Sequence, residues 1–357
     1  MPLKELEQWC VGNGQKSFRA KQLLNWIHKR KTIKFTDMTN LSNDFKKFLA
    51  YQACVEMPKI QNSFQSQDGS EKWLFNLGAG NVIETVLIPE RGRNTLCISS
   101  QVGCAVDCAF CSTGHQGFSR NLTSAEIISQ LWTVQDITSK KITNVVMMGM
   151  GEPLLNFDNL VKALNLMLDD NAYGLSKRKV TVSTYGIIPM IDRLADQCPV
   201  SLAVSLHAGN DFLRNRLVPI NKKYPVDELL DACARYLEKS PRDFITFEIV
   251  MLRGVNDSVD NAKEILKKIM DRSISCKFNL IPFNAFPKSN YLSSTRTSIL
   301  KYSNCLQAAG YVVTYRKTRG DDIDAACGQL AGEVMDRTNI SGRKGYFLKD
   351  VSFKSVN

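Results

Sequence analysis

Residues 103–114 read Gly-Cys-Ala-Val-Asp-Cys-Ala-Phe-Cys-Ser-Thr-Gly, which gives Cys104, Cys108 and Cys111 the spacing Cys-x3-Cys-x2-Cys. A closed structural zinc site and a fully ligated iron–sulfur cluster each take four protein ligands. No fourth Cys or His follows at a matching spacing. The triplet therefore predicts an iron–sulfur cluster with one iron open to a small molecule. Three unrelated buried thiols are the alternative, and such tight clustering argues against it.

Length and composition are those of a globular enzyme. The 357 residues are 44% hydrophobic, enough for one large domain with a small one, or for two medium domains. The first residues, Met1–Glu5, do not begin an apolar signal sequence, and no stretch is long enough to span a membrane. Eleven cysteines without a disulfide framework are typical of a reducing compartment, so we expect a cytoplasmic protein.

Positive charge is concentrated at the amino end of the chain. The net charge is +11, and residues 1–50 hold ten Lys or Arg against four Asp or Glu. A phosphate backbone attracts such a surface, and a solvated helix face is the alternative explanation. The basic residues around Trp26 in the sequence are Lys16, Arg19, Lys21, Lys29, Arg30, Lys31 and Lys34.

The first 93 residues divide into two parts. Residues 1–52 are predicted to be a basic helical accessory domain, because apolar residues recur at helical spacing in 18–27 and in 45–49. Residues 53–93 are predicted to be a small β-rich connector. Short apolar runs at 72–75 and 82–86 alternate there with Gly-containing turn sequences.

Residues 94–335 are predicted to be an α/β domain, followed by a tail at 336–357. Short apolar runs alternate with amphipathic helical segments, one of which opens with a capping box at Thr123–Glu126. This alternation predicts a parallel sheet, either open and doubly wound or closed towards a barrel. The predicted strands are 95–99, 144–148, 179–183, 200–206, 244–250, 277–281 and 311–315.

Unusual residues follow several of these strands. In either architecture, function is located at the carboxyl ends of the strands. The cysteine triplet follows the first predicted strand, and Gly149–Pro153 follows the second. Ser183, Ser205–His207 and Pro282–Asn284 end the third, fourth and sixth. Their shared position at one rim predicts a single site.

Four stretches together resemble one family, the RlmN-type adenine methyltransferases among the radical S-adenosylmethionine (SAM) enzymes. They are Thr95–Cys104, Gly149–Asn156, Ser205–His207 and Asp322–Leu330. The resemblance implies a partial (β/α)6 barrel and methylation of carbon 2 of an adenine in 23S rRNA and in tRNA. The related Cfr enzymes methylate carbon 8 of the same ribosomal adenine. Pro153 and the Pro-Phe-Asn sequence ending at Asn284 resemble RlmN more than Cfr.

The resemblance also implies roles for individual residues. The cysteine triplet would hold a 4Fe–4S cluster whose open iron binds SAM, and two SAM molecules would be used per turnover. Cys327 would carry a methyl group, and Cys97 would release the product by forming a disulfide bond with Cys327. Glu84 stands where the family has its candidate base. The residues expected to contact SAM are Gly151, Glu152, Ser183, Ser205, Leu206, His207 and Asn284.

Partners follow from the same resemblance. The basic residues 1–52 would bind the RNA, and an electron donor such as flavodoxin or ferredoxin would reduce the cluster. We expect a monomer without membrane association.

Two other classes of protein stay open at this stage. A non-catalytic RNA-binding protein with a structural metal requires a fourth ligand. A radical SAM enzyme acting on a peptide or small molecule requires neither the basic amino-terminal surface nor the Cys97–Cys327 pair.

Overall fold

A computed structural model describes residues 1–287, 289–338 and 340–341. Within these ranges no helix is both long enough and apolar enough to cross a bilayer. Of the predicted tail, residues 342–357 lie outside the described part of the chain. The predicted division at residues 52, 93 and 335 stays a prediction.

The described residues contain one ten-stranded sheet and a separate hairpin. The strands are β1 (Lys59–Gln65), β2 (Glu71–Asn76), β3 (Val82–Glu90), β4 (Arg93–Cys97), β5 (Gln101–Gly103), β6 (Phe118–Asn121), β7 (Asn144–Met147), β8 (Val180–Thr184), β9 (Ser201–Ser205), β10 (Ile245–Met251), β11 (Cys276–Pro282) and β12 (Val312–Tyr315). The sheet order is β1-β2-β3-β4-β7-β8-β9-β10-β11-β12. Every pair from β4 to β12 is parallel, which confirms the predicted parallel sheet of a partial barrel.

Helices connect the parallel strands. The helices are α1 (Leu3–Gly12), α2 (Arg19–Leu24), α3 (Asn43–Gln52), α4 (Ser112–His115), α5 (Ser124–Thr138), α6 (Phe157–Leu168), α7 (Ile188–Gln197), α8 (Asp211–Leu217), α9 (Val226–Leu237), α10 (Val259–Met270) and α11 (Arg296–Ala308). The predicted capping box is present at the start of α5, where the Thr123 side chain accepts from the Glu126 N–H. Helix α10 buries Ile265 and Ile269 and leaves Lys267 exposed, as its spacing predicts.

The predicted β-rich connector belongs to the same sheet as the α/β domain. Strand β3 pairs antiparallel with β4, and β2 and β1 follow in antiparallel order. Apolar alternation predicts which residues form a strand, but it carries no information on which strand lies alongside. The connector therefore extends one flank of the partial barrel.

The cysteine triplet lies in a loop between two short strands that the sequence pattern does not reveal. Strands β5 and β6 pair antiparallel on either side of residues 104–117. Strands of three and four residues are too short to show a periodicity. This hairpin places the triplet beyond the carboxyl end of β4.

The amino-terminal helices pack against the α/β domain. The indole N–H of Trp132 on α5 donates to the carbonyl of Ile27 at 2.7 Å. His28 Nδ1 lies 3.1 Å from the hydroxyl of Tyr173. Leu24 and Phe45 are buried, in agreement with the predicted helical spacing. Residues 1–52 therefore form a helical layer against α5 and the segment after α6.

Candidate active site

The cysteine loop is held in place by backbone hydrogen bonds. Cys104 and Cys108 are buried and Cys111 is half-buried. The Cys104 N–H donates to the carbonyl of Gly117 at 2.7 Å, and the Ser112 N–H donates to the carbonyl of Gly328 at 2.7 Å. The second bond joins the loop to the segment that carries Cys327.

The triplet fits an iron–sulfur cluster better than a single metal ion. Burial, with the neighbouring thiols, raises the pKa of Cys108, and burial is also the main cause of the raised pKa of Cys104. The described residues contain no group of three or more His, Cys, Asp or Glu placed to hold one metal ion. A 4Fe–4S cluster does not need such a group, because each thiolate binds a different iron. The three mutually interacting thiols fit that arrangement, and binding a cluster would release their protons.

A cavity lies between the cysteine loop and the carboxyl ends of the parallel strands. Its charged lining residues are Glu152 and Glu248, with no Lys or Arg on the described wall. We call it the SAM cavity, because most of the side chains expected to contact SAM meet there. The lining includes five of the predicted SAM contacts, together with the predicted cluster ligand Cys111 and the predicted methyl carrier Cys327. The five contacts are Gly151, Glu152, Ser183, Ser205 and His207.

Two predicted SAM contacts do not line this cavity. Leu206 is fully buried, and its N–H donates to the carbonyl of Glu248 at 3.1 Å. The Asn284 side chain donates to the carbonyl of Cys327 at 2.9 Å and lines a neighbouring cleft. Their roles as SAM contacts stay predictions.

The glycines after β7 are required by close packing. Gly151 has φ +96°, and a Cβ atom there would lie 2.5 Å from Cβ of Gln101. A Cβ atom on Gly149 would lie 2.7 Å from the backbone of Ile98. The turn can therefore approach β5 and bring Glu152 into the cavity wall only with glycine at these two positions.

Glu152 is a fully buried carboxylate held by backbone donors. Its Oε1 accepts from the Leu154 N–H at 2.9 Å, and its Oε2 accepts from the Tyr185 N–H at 2.8 Å. Burial outweighs these bonds and raises the pKa of Glu152 to about 7. A ligand cation in the cavity would stabilise the ionised form.

His207 presents a hydrogen-bond donor to the cavity. Its Nδ1 accepts from the Val250 N–H at 3.1 Å. Burial, together with Arg214, lowers the pKa of His207 to about 3, so the ring is neutral and its proton is assigned to Nε2. This buried Nε2 has no hydrogen-bond partner among the described residues. Because His207 lines the SAM cavity, a hydrogen-bond acceptor on the ligand would satisfy this donor.

Arg214 positions the backbone of the predicted SAM segment, a role that the sequence does not reveal. Its side chain is fully buried. It donates to the carbonyls of Leu206 at 2.9 Å, Ser205 at 3.0 Å and Tyr185 at 2.6 Å. Arginine within a short polar helix is usually exposed, so no sequence signal distinguishes this one.

Arg316 and Glu248 surround Cys327 and were also not predicted from the sequence. Arg316 Nη1 donates to Cys327 Sγ at 3.5 Å and lies 4.0 Å from Glu248 Oε1. Burial raises the pKa of Cys327, and the guanidinium of Arg316 opposes that rise. The guanidinium therefore stabilises the thiolate, the form in which sulfur is a nucleophile.

Cys97 lies at the end of β4, close enough to Cys327 for their charges to interact. Burial, with a contribution from Cys327, raises the pKa of Cys97 to about 12. Both cysteines are free thiols, so the predicted disulfide bond is not present in this structure. The predicted scheme forms that bond only in the step that releases the product, which accounts for the difference.

Glu84 lies beside the loop that carries Cys327 and does not line the SAM cavity. Its Oε1 is 3.5 Å from Lys72 Nζ, and its Oε2 accepts from the Ala331 N–H at 3.3 Å. Burial raises the pKa of Glu84 despite the charge of Lys72. The carboxylate contacts the loop that carries Cys327, and its role as the base stays a prediction.

Comparison with known proteins identifies the family to which this chain belongs. Residues 98–269 match the Radical SAM superfamily, and residues 1–55 match the Ribosomal RNA large subunit methyltransferase N-terminal domain. A solved radical SAM methyltransferase from Sphaerobacter thermophilus is 39% identical. The match covers 92% of this chain and 97% of that chain, with a TM-score of 0.85. The chain belongs to the RlmN-type radical SAM methyltransferases. As in its family, the cofactors are a 4Fe–4S cluster and SAM.

More distant similarities carry no further argument. A domain of pyruvate-formate lyase-activating enzyme from Bacteroides vulgatus is 18% identical, with a TM-score of 0.39 over 49% of this chain and 99% of that chain. The hydrogenase maturase HydG is 13% identical, with a TM-score of 0.45 over 66% of this chain and 55% of that chain. Membership in the RlmN family rests on the matches described above.

We predict that SAM affinity rises with pH through the titration of Glu152. The SAM ammonium group is expected to bind the ionised carboxylate, whose fraction grows as the pH rises towards about 7. Affinity should increase about tenfold per pH unit below that value and then level off. Calorimetric titration of SAM between about pH 5.5 and about pH 8 measures this. Glu228→Gln, an exposed change in the first turn of α9, should keep the profile. A flat profile for the unaltered protein would contradict the assignment.

A second prediction concerns the ion pair between Lys72 and Glu84. Lys72→Met should leave a buried carboxylate without its cation and lower the free energy of unfolding by about 3 kcal/mol at neutral pH. The loss should shrink as the pH falls, because protonation neutralises Glu84, whose pKa is raised. Urea unfolding at two pH values measures both effects. Adding Glu84→Gln should restore part of the stability, and no recovery in the double variant would contradict the pairing.

Proposed function

We propose that this chain methylates carbon 2 of an adenine in 23S rRNA and in tRNA through a methylated Cys327. The observation that carries the proposal is the position of Cys327. Its sulfur lies on the wall of the SAM cavity with Cys111, beside Arg316 and within electrostatic range of Cys97. A radical SAM enzyme that acts only through its cluster needs no such pair of thiols.

The first half of the reaction uses the Cys327 thiolate. Its sulfur attacks the methyl group of one SAM, so that a carbon–sulfur bond to Cys327 forms, the methyl–sulfonium bond breaks and S-adenosylhomocysteine leaves. Arg316 stabilises the thiolate before attack. The cluster would supply the electron that cleaves a second SAM to methionine and a 5′-deoxyadenosyl radical. That radical takes one hydrogen atom from the methyl group on Cys327. The resulting methylene carbon then bonds to carbon 2 of the adenine.

The second half releases the methylated base. The adduct would return one electron to the cluster, which would have supplied it for the cleavage of SAM. It loses the carbon 2 proton to a base, for which Glu84 is the candidate. Cys97 then attacks the Cys327 sulfur, so that a sulfur–sulfur bond forms and the carbon–sulfur bond breaks. The released carbon takes a proton and becomes the methyl group. An external reductant then restores the two thiols.

The partners follow from this reaction. RNA would bind the basic helices at the amino end, where Lys29 and Arg30 are exposed and Arg30 stacks on Trp26 at 4.2 Å. An electron donor such as flavodoxin or ferredoxin would reduce the cluster. We expect the enzyme to act as a monomer in the cytoplasm, where these RNAs and donors occur.

Nucleoside analysis of treated RNA tests the proposed function. Anaerobically reconstituted protein is incubated with SAM, a reductant and either 23S rRNA or tRNA transcripts, and the digested nucleosides are identified by mass spectrometry. We expect 2-methyladenosine, and loss of the label from adenine deuterated at carbon 2. Formation of 8-methyladenosine would assign the Cfr-type reaction instead, and unmodified RNA would contradict both.

A further inference from the structure

Helix α8 lies against the cysteine loop. The N–H of Ala109 in that loop donates to the carbonyl of Leu217, at the end of the helix, at 3.0 Å. Leu213 and Leu217 belong to the same hydrophobic cluster as Cys104 and Cys108. One helical layer therefore separates two of the predicted cluster ligands from the outer face of α8.

The outer face of α8 carries an aromatic ring and a cation. Phe212 is 78% exposed, although an aromatic side chain is ordinarily covered in a folded chain. Arg216 is also exposed, and it follows Phe212 by four positions in the helix. Side chains four positions apart project from the same side of a helix. The ring and the guanidinium are therefore neighbours on one surface.

Residues after β10 and β11 extend this surface. Burial raises the pKa of the Tyr291 hydroxyl, and the nearby charge of Arg216 opposes that rise, which places the two side chains close together. The next residue, Leu292, is 61% exposed, and its carbonyl accepts from the Arg253 N–H at 2.9 Å. We call the surface formed by Phe212, Arg216, Arg253, Tyr291 and Leu292 the α8 patch. Exposed apolar side chains with polar neighbours are typical of an interaction site.

The positive charge of the α8 patch is not neutralised by ion pairs. Arg216, Arg253 and the neighbouring Lys222 are exposed. None of the three has a carboxylate within 4.0 Å in the described ranges of the chain. Asp211 and Asp257, which lie in the same helix and loop, each accept a hydrogen bond from a backbone N–H at 2.9 Å. Unpaired exposed cations attract an acidic partner and orient its approach.

The proposed reaction needs an electron from outside the chain. The cluster must gain one electron before SAM is cleaved, and a donor must lose that electron. The rate of electron transfer falls steeply with distance, so a protein donor has to bind where the cluster lies closest to the surface. The α8 patch covers the loop that carries all three predicted cluster ligands, and it has the charge that an acidic donor requires.

We propose that the α8 patch is the docking surface of the electron donor, an acidic protein with a one-electron carrier such as a flavin near its own surface. This inference rests on the proposed function, in which the donor is a partner. Carboxylates of the donor would pair with Arg216 and Arg253, and Phe212 would supply the central apolar contact. Electron-transfer encounters bury little surface, which suits a patch of a few side chains. RNA is assigned to residues 1–52, which pack against α5.

Stopped-flow reduction of the cluster tests this surface. Arg216→Glu and Arg253→Glu, alone and combined, are mixed anaerobically with reduced flavodoxin, and the loss of the cluster's visible absorption is followed. The double variant should be reduced roughly tenfold more slowly at physiological salt, and the difference should narrow as salt screens the charges. Dithionite needs no docking surface and should reduce every variant at the rate of the unmodified protein. Lys267→Glu reverses one charge on the exposed face of α10 and should keep the flavodoxin rate.

Affinity for flavodoxin gives a second measurement that does not depend on electron transfer. In calorimetric titrations with oxidised flavodoxin, Phe212→Ala should bind about tenfold more weakly than the unmodified protein, because it removes the central contact. The ring is largely exposed, so its loss should leave the thermal midpoint unchanged. Met270→Ala truncates a side chain that is 56% exposed at the end of α10, and it should keep the affinity.

Three outcomes would overturn the α8 patch alone. The first is an unmodified protein that neither flavodoxin nor ferredoxin reduces. The second is a double variant that flavodoxin reduces as fast as the unmodified protein. The third is variants that lose RNA affinity but keep the flavodoxin rate, which would assign the patch to RNA. Methylation of RNA with dithionite as the reductant tests the proposed function separately. Unmodified protein that dithionite reduces but that leaves RNA unmodified would overturn that function, and the flavodoxin rates would still decide the patch.

Discussion

Replacing Cys104, Cys108 or Cys111 by alanine should reduce the formation of 5′-deoxyadenosine from SAM to background. Each thiolate holds a different iron, and the loop offers three thiolates in all, so the loss of one leaves two irons without a protein ligand. Because cleavage of SAM depends on the cluster, the loss should be complete rather than partial. Iron and acid-labile sulfide per chain, measured together with deoxyadenosine, separate loss of the cluster from loss of SAM binding.

The matched control for this series is Cys198→Ala. Cys198 is also buried, with 3% of its surface exposed, but it lies in the main hydrophobic core away from the SAM cavity. It should keep its cluster and lose only the stability expected for a small core truncation, about 1 kcal/mol. Stoichiometric zinc in protein with full RNA-modifying activity would overturn the cluster assignment.

Cys327→Ala and Cys97→Ala should both be inactive, but the two variants should differ in mass and in bound RNA. Cys327→Ala should never acquire a methyl group and never become linked to RNA. Cys97→Ala should accept the methyl group and form the carbon–carbon bond, and then stop with RNA attached, because no thiol attacks the Cys327 sulfur. Intact mass and bound nucleic acid on each purified variant distinguish the two states.

Loss of activity alone does not test these roles, because an unfolded variant is also inactive. The thermal midpoint of each variant should therefore be measured beside its mass. Cys97 is buried at the end of β4 and Cys327 is half-buried, so Cys97→Ala should lose more stability. A methylated Cys327→Ala protein, or a Cys97→Ala protein that turns over normally, would show that the roles are assigned wrongly.

Much of the fold could be predicted because parallel strands carry a local signal. Strands β7 to β11 lie where short apolar runs predict them, since a parallel strand covered by helices is mostly apolar. The rim of functional residues followed from the rule that carboxyl ends of parallel strands meet. The β5–β6 hairpin was not predictable, because its strands are too short to have a pattern.

The sequence by itself predicted that this protein is a radical SAM methyltransferase. The spacing of the cysteine triplet, the glycines before Glu152 and the segment around Cys327 are local features, and their meaning depends on residue type and order. Only the tertiary structure decided which side chains support them. Arg214 and Arg316 are distant in sequence from several of the groups that they contact, and a buried arginine has the same sequence signature as an exposed one. The acidic lining of the SAM cavity is likewise a property of the folded chain, because Glu152 and Glu248 come from different segments that meet only when the strands close around the cavity.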